Sequence, residues 1–332
     1  MAAIVGKLYP GAAVATVFGI AAYAIALRYG APSMLIALLL GLSGHFLYEF
    51  ERIRPGVDWA ARAVLRFGVA LLGLRIAFAD VISIGAAPIT IVLGAMVVTL
   101  VAGVALSRAL GLSSAFGALS GGSVAVCGVS AAIAISAVLP KREHAERELA
   151  VTVAGVTTLS TIAMILYPLG NAILHLTDRE IGVVLGGSIH DVAQVVGAGY
   201  SVSHEAGDTA TFVKLLRVSA LLPMVAAIYY WLGRGEAAEG AGKTQYLPAF
   251  LIAFFILATI NSLHLAPKPV VDAGVLASQW LLLISIAAIG IKTNLKKVAE
   301  VGWRPLVLMV AQTLIMLGVV LGGVLVLRNF QT

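Results

Sequence analysis

The chain reads Gly186-Gly187-Ser188-Ile189-His190-Asp191 within one long apolar stretch, and Gly121-Gly122-Ser123 within another. Lipid offers backbone groups no hydrogen-bond partner, so a broken spanning helix must face protein or a water-filled cavity. Glycine pairs weaken a helix, and here polar residues accompany them. Two broken helices near the middle of the membrane are the usual sequence indication of a transporter's binding site. The two stretches therefore predict a transport protein.

The composition identifies an integral membrane protein. Of the 332 residues, 60% are hydrophobic and 11% are charged, whereas soluble domains contain about 25% charged residues. The apolar runs are long and do not alternate, which favours α-helical spans over an outer-membrane barrel. The net charge of +6 comes mostly from residues between spans, which indicates contact with membrane lipid and not with nucleic acid.

Several chemistries lack support in the sequence. The single cysteine, Cys127, excludes an internal disulfide and a multi-cysteine metal site. The chain contains no nucleotide-binding P-loop, GxSxG elbow or HExxH motif, so ATP-driven transport and common hydrolase mechanisms are not indicated. We predict a protein that is not an enzyme and that needs no metal or cofactor.

Apolar segments of about 20 residues predict an all-α polytopic membrane protein that forms one transporter domain over residues 1–332. Prolines, among them Pro10 and Pro168, are predicted to mark span ends. Basic loop residues favour a cytoplasmic N-terminus. About 11 spans are predicted, at residues 10–29, 32–50, 59–78, 86–110, 114–139, 147–169, 178–200, 209–232, 247–265, 270–292 and 303–328.

An internal echo predicts an inverted repeat of segments 30–110 and 247–328. Residues 35–37 (Leu-Ile-Ala) recur at 251–253, and Arg75, Gly85 and Pro88 correspond to Lys292, Gly302 and Pro305 at a nearly constant offset. In the predicted numbering the related spans run in opposite directions, as inverted repeats require. The Gly-Gly-Ser echo joins the broken-helix segments 111–140 and 178–200 at another offset, and it does not fit the same duplication.

His190 and Asp191 are the most unusual pair, because ionisable side chains inside a span are costly and normally face a cavity or each other. Gln194 lies one helical turn further on and extends the polar face. One interpretation is a substrate or proton site, with His190 titrating near neutral pH. The other is a structural polar cluster that holds two helices together.

Lys214 and Arg217 lie three residues apart on one helix face. They either bind an anion, for which Arg offers a planar fork, or extend to the lipid headgroups. Backbone N–H groups at the two breaks also favour an anion, although small residues equally suit close helix packing, which we favour for Cys127. The remaining predicted substrate-binding residues are Gly121, Gly122, Ser123, Cys127, Ser130, Gly186, Gly187 and Ser188.

At these motifs the chain resembles the YeiH-type family, bacterial proteins proposed to export sulfate. The resemblance rests on residues 121–128 (GGSVAVCG), 186–196 (GGSIHDVAQVV), 213–218 (VKLLRV), 290–293 (GIKT) and 302–306 (GWRPL). It implies a multi-pass protein of the bacterial inner membrane, related to the superfamily of sodium–proton antiporters and bile-acid symporters. That fold has inverted repeats and two broken helices that cross, and the family implies a sulfur oxyanion as substrate.

Together these observations predict a secondary transporter that exports a small anion such as sulfate, sulfite or a sulfonate. The Gly-Gly-Ser breaks, Lys214 and Arg217 would hold the anion, and His190 and Asp191 would carry coupling protons. Two alternatives are a cation/proton antiporter with Asp191 as exchanging carboxylate, and a membrane-embedded enzyme that uses His190, Asp191 and Cys127. A channel also stays open. The chain is compatible with a homodimer.

Overall fold

The computed structural model describes residues 2–29, 32–75, 85–140, 142, 144–232, 249–293 and 302–331. These residues form α-helices joined by short turns, with no β-strand among them. The helices are α1 (Ala2–Tyr29), α2 (Ser33–Ser43), α3 (Arg54–Trp59), α4 (Leu65–Leu72), α5 (Ala86–Ala109), α6 (Ser114–Ala125), α7 (Val129–Val138), α8 (Ala145–Leu174), α9 (Asp178–Ser188), α10 (Val192–Val202), α11 (His204–Ser219), α12 (Leu221–Leu232), α13 (Ala249–Ser262), α14 (Lys268–Lys292) and α15 (Trp303–Gln331). A 3-10 turn (His45–Glu49) precedes α3, and a π-helical turn (Ala60–Val64) joins α3 to α4.

Six helical segments within the described ranges are long and apolar enough to cross a membrane: Gly6–Tyr29, Ala86–Ala109, Ala145–Leu174, His204–Leu232, Lys268–Lys292 and Trp303–Phe330. The all-helical membrane fold is therefore confirmed. Other predicted spans contain shorter apolar helices, such as α2, α7, α10 and α13, so the number of about 11 stays a prediction.

The predicted role of two prolines is wrong. Pro10 and Pro168 lie inside α1 and α8, and do not mark helix ends. In spanning helices the backbone groups that a proline frees can be satisfied by local adjustments and neighbouring helices, so proline is a weaker stop signal there. The polar segment at residues 233–244, whose Gly, Ala and Glu content predicts a flexible linker, lies outside the described residues.

The described chain clusters into two compact units. The first contains α1–α4, α13, α14 and the stretch Val196–Asp208. Within it α2 packs on α14, where the Cβ position of Gly41 would lie 2.8 Å from the Gly290 Cα atom. Such close backbone approach requires small residues on both helices. The echo pair Arg75 and Lys292 also lies here, and each forms an ion pair, with Asp208 (2.8 Å) and Asp58 (2.6 Å).

The second unit contains α5–α9, α12 and α15, with the beginning of α10 and most of α11. Its helix α5 packs against both α6 and α15. The echo positions Gly85 and Gly302 precede α5 and α15 with φ angles of +82° and +83°, values that favour glycine. At these two positions the sequence echo and the backbone conformation coincide. This unit contains both helix breaks and therefore the candidate site.

Candidate functional site

The first break separates α6 from α7 at residues 126–128. Gly128 adopts φ +63° and ψ −119°, a conformation that residues other than glycine avoid. Its N–H donates to the Ser123 carbonyl at 2.8 Å, which closes the end of α6. Cys127 is buried in this break.

The second break separates α9 from α10 at residues 189–191. Helix α9 begins with a capping box between Thr177 and Glu180, and Ile189 is extended where the helix ends. The two breaks touch: a Cβ atom at Gly128 would lie 3.8 Å from both the Cβ and the carbonyl oxygen of His190. The two breaks, whose residues 126–128 and 189–191 both belong to the second unit, therefore lie against each other.

Lys214 and Arg217 of α11 lie between these half-helices, and both are fully buried at 0% exposure. The Lys214 ammonium donates to the carbonyls of Val126 (2.6 Å) and Ile189 (3.0 Å), one from each break. Extension to the lipid headgroups is excluded by this burial.

Arg217 makes the larger set of contacts, which again joins both broken helices. Its Nε and one terminal nitrogen donate to the last turn of α6, and its other terminal nitrogen donates to the end of α9. The acceptors are the carbonyls of Ala125 (3.0 Å), Val124 (2.8 Å), Gly186 (2.9 Å) and Ile189 (2.8 Å).

These contacts have a clear electrostatic reason. The last carbonyls of a helix have no partner inside the helix, and the C-terminal end carries a partial negative charge. Hydrogen bonds from an ionised donor are about twice as strong as neutral ones. The two cations thus neutralise the C-terminal ends of α6 and α9, a role that the sequence interpretation did not anticipate. Their predicted contact with an anion stays a prediction.

The Gly-Gly-Ser stretches lie in the last turns of α6 and α9, just before the breaks and not within them. Ser123 and Ser188 donate to carbonyls of their own helices, Leu119 and Val184, both at 2.5 Å. Because these stretches form C-terminal helix ends, they present carbonyls towards the break. The predicted contact of N–H groups at these stretches with an anion stays a prediction.

The four glycines of these stretches are packing positions. A Cβ atom at Gly187 would lie 2.8 Å from a Val320 methyl group, and one at Gly186 would approach Val213 Cβ at 2.9 Å. Gly121 lies against α5, and Gly122 lies against Ile135 of α7. Small residues at close helix contacts explain these glycines without a ligand.

The N-terminal ends of α7 and α10 differ. The Asp191 carboxylate accepts from the Ala193 N–H (2.9 Å) and so caps α10, while the Asp191 N–H donates to the Ser160 hydroxyl (3.1 Å). Helix α7 has no such side-chain cap at Gly128, and Ser130 in its first turn is exposed. The N-cap position of α7 therefore supplies no carboxylate, whereas that of α10 supplies Asp191.

His190 is fully buried, and its Nε2 lies 2.9 Å from the Thr313 hydroxyl. That hydroxyl donates its single proton to the Met309 carbonyl at 2.8 Å, so it accepts from His190 Nε2–H. We infer that a neutral His190 has a bare lone pair at Nδ1. This atom has no hydrogen-bond partner in the described part of the chain.

Two glutamines near this region are incompletely paired. Gln194 donates to the Thr161 hydroxyl (3.0 Å) and Gln312 donates to the Ser120 hydroxyl (2.9 Å), but neither Oε1 atom has a partner among the residues described. Buried polar atoms normally find a partner in protein or water, so these oxygens are available to a water or a ligand. The sequence interpretation missed Gln312, Thr313, Ser160 and Thr161.

The geometry yields a direct prediction for Gly128. Gly128→Ala should lower the free energy of unfolding by about 1–3 kcal/mol, because alanine is strained at this backbone conformation. The matched control is Gly94→Ala inside α5, where a Cβ atom would have no neighbour within 4 Å. That control should be neutral or stabilising by about 0.5–1 kcal/mol. Thermal denaturation of the purified variants measures both, and equal melting temperatures would contradict the strain.

Comparison with known proteins finds a family model and relatives that match most of the chain. The family model described as "Conserved hypothetical protein 698" matches residues 10–309. The UPF0324 membrane protein TauZ of Paracoccus denitrificans is 49% identical over 313 residues, with 93% of each chain covered. A UPF0324 membrane protein of Chlorobaculum tepidum is 45% identical, covering 96% of this chain and 89% of that protein. These matches agree with the family resemblance seen in the sequence, while no solved structure matches.

Proposed function

We propose, starting from the fact that this chain belongs to the UPF0324 family of membrane proteins, that it is a secondary transporter of a small anion. The supporting observation is the charge at the two breaks. Two buried cations, Lys214 and Arg217, accompany one capping carboxylate, Asp191. A charge in a low-dielectric site is costly unless it is compensated. The negative ends of α6 and α9 compensate part of the cationic charge, and an anion at the positive end of α7 would compensate the remainder.

Helix α7 supplies the binding groups. Its first-turn N–H groups point towards the break, and the helix dipole favours an anion there. Ser130 adds a hydroxyl at an exposed position, and His190 lies against Gly128 at the helix start. A tetrahedral or pyramidal oxyanion can accept several of these hydrogen bonds together, which suits sulfate, sulfite or a sulfonate.

His190 supplies a route to proton coupling. Its neutral form leaves Nδ1 as an acceptor, which an anion avoids. Protonation converts Nδ1 to a donor and adds a positive charge, so proton and anion binding favour each other. The other titratable groups at the breaks are Cys127, Asp191 and Lys214. We assign the coupling protons to His190 and Asp191, and export across the bacterial inner membrane as the direction.

Alternating access would follow the architecture of sodium–proton antiporters, with inverted repeats and crossing broken helices. The two touching breaks support this part of the proposal. A cation/proton antiporter is supported less well, because Asp191 is the one carboxylate among the described residues at the breaks and two cations accompany it. The membrane-embedded enzyme has no specific observation in its favour.

Proteoliposome flux tests the proposed function. Radiolabelled sulfate, sulfite and isethionate should be compared with and without a pH gradient, in wild type, His190→Ala and the control His144→Ala, whose side chain is exposed. We expect saturable, gradient-dependent flux of at least one anion. It should fall at least about tenfold in His190→Ala and stay unchanged in His144→Ala. Absence of flux for all three anions, in folded wild-type protein, would refute this proposal.

A further inference from the structure

The carbonyls that the two breaks direct towards each other form a cation site, and the chain itself fills it. In secondary transporters, unwound carbonyls and half-helix C-terminal ends coordinate the coupling Na⁺. Here one ammonium group, Lys214 Nζ, binds Val126 O and Ile189 O from separate breaks at 2.6 and 3.0 Å. We propose that Lys214 occupies the position of a coupling cation, so that transport needs no free alkali cation. This consequence for coupling rests on the proposed function.

The charge distribution of the ammonium suits this position. It is a compact point charge, so two carbonyls that converge from different chain segments can both contact it, as they would contact a metal ion. It is fully buried, which separates it from cations in solution. Its covalent attachment to α11 also fixes its local concentration.

Arg217 completes the exclusion of a free cation. It binds the carbonyls of Val124, Ala125 and Gly186, and shares Ile189 O with Lys214. Five carbonyls at the two helix ends thus have a charged donor from α11. An entering Na⁺ would have to displace one of these donors and would meet two fixed positive charges, which oppose it.

The experiment removes the Lys214 ammonium by mutation and supplies free cations in solution. Purified wild type, Lys214→Ala and the control Lys268→Ala, a lysine exposed at the start of α14, are heated in NaCl, LiCl, methylammonium chloride or choline chloride at equal ionic strength. We expect wild type and Lys268→Ala to have the same Tm in all four salts. Lys214→Ala should melt at least about 5 °C lower in choline. Its Tm should rise saturably with methylammonium and Na⁺.

Either of two results would overturn the inference. One is a saturable rise in the Tm of wild type with Na⁺. The other is a Tm of Lys214→Ala that equals the Tm of wild type and is the same in all four salts. If Lys214→Ala does not fold, the inference is tested by the Tm of wild type in the four salts and by the anion flux of wild type. Flux in NaCl and in choline chloride should agree within about twofold, and a tenfold dependence on Na⁺ would refute the inference. The Tm measurement does not depend on transport. A wild-type protein that shows no anion flux would therefore refute the proposed function without deciding whether Lys214 occupies a cation site.

Discussion

Arg217→Met is expected to lower the free energy of unfolding by about 3–9 kcal/mol. Three carbonyls, those of Val124, Ala125 and Gly186, receive hydrogen bonds from Arg217, while Ile189 O retains Lys214. Each buried acceptor left without a donor costs about 1–3 kcal/mol. The negative ends of α6 and α9 would also face each other with one cation in place of two. The variant should give little monodisperse protein on size-exclusion chromatography and no anion flux.

Two further variants test the cause. Arg217→Lys retains a charge but has no planar fork, so its ammonium cannot donate to the ends of α6 and α9 at the same time. Its Tm should lie between those of Arg217→Met and wild type. Arg66→Met, at an exposed position of α4, should match wild type in yield and Tm. Wild-type stability in Arg217→Met would show that these carbonyls find other donors, and would contradict the structural role assigned to the guanidinium.

The membrane class, the helical fold and the two interruptions could be predicted from the sequence because each depends on local composition. Low charge and long apolar runs require spanning helices. The pairs Gly121-Gly122 and Gly186-Gly187 mark the two interruptions to within a few residues. Burial of Lys214 and Arg217 could not be predicted. Two cations three residues apart are equally compatible with contact to lipid headgroups, an anion site or binding to the end of another helix.

The helix-end position of the Gly-Gly-Ser stretches follows from chain direction. The Gly-Gly-Ser stretches precede the breaks along the chain, so they end helices, and a helix end that precedes a break exposes carbonyls. Chain direction alone predicts that a cation, and not an anion, belongs there. The two cations on α11 were the available candidates. Residues that follow a break, such as Ser130 after Gly128, are the ones whose N–H groups face it.

The partners of the polar residues were not predictable. Thr313, Ser160 and Thr161 contact His190, Asp191 and Gln194, yet in sequence nothing distinguishes them from the other hydroxyl residues of their helices. Such residues commonly donate to their own helix carbonyl at i−4, as Thr313 and Thr161 also do. Which hydroxyl lies next to a break depends on helix packing, which no local pattern in this chain specifies.

Asp191→Asn is expected to abolish the driving effect of a pH gradient on anion flux while leaving the protein folded. Asparagine caps a helix about as well as aspartate does, so the contact with the Ala193 N–H and the start of α10 should persist. The charge and the proton acceptor are lost. Gradient-driven accumulation in proteoliposomes should fall at least about tenfold, whereas exchange of labelled for unlabelled anion at equal pH should continue.

Asp191→Ala separates capping from charge. It removes the cap as well and should cost about 0.5–2 kcal/mol of stability, seen as a lower Tm that Asp191→Asn does not show. Asp272→Asn, exposed on α14, controls for loss of one carboxylate. If a pH gradient drives anion flux in Asp191→Asn as strongly as in wild type, Asp191 only caps α10. His190 is then the one proton carrier in the proposed mechanism. If Asp191→Asn instead loses a proton-driven Na⁺ flux, the antiporter interpretation replaces anion export, because the carboxylate then exchanges cations and protons directly.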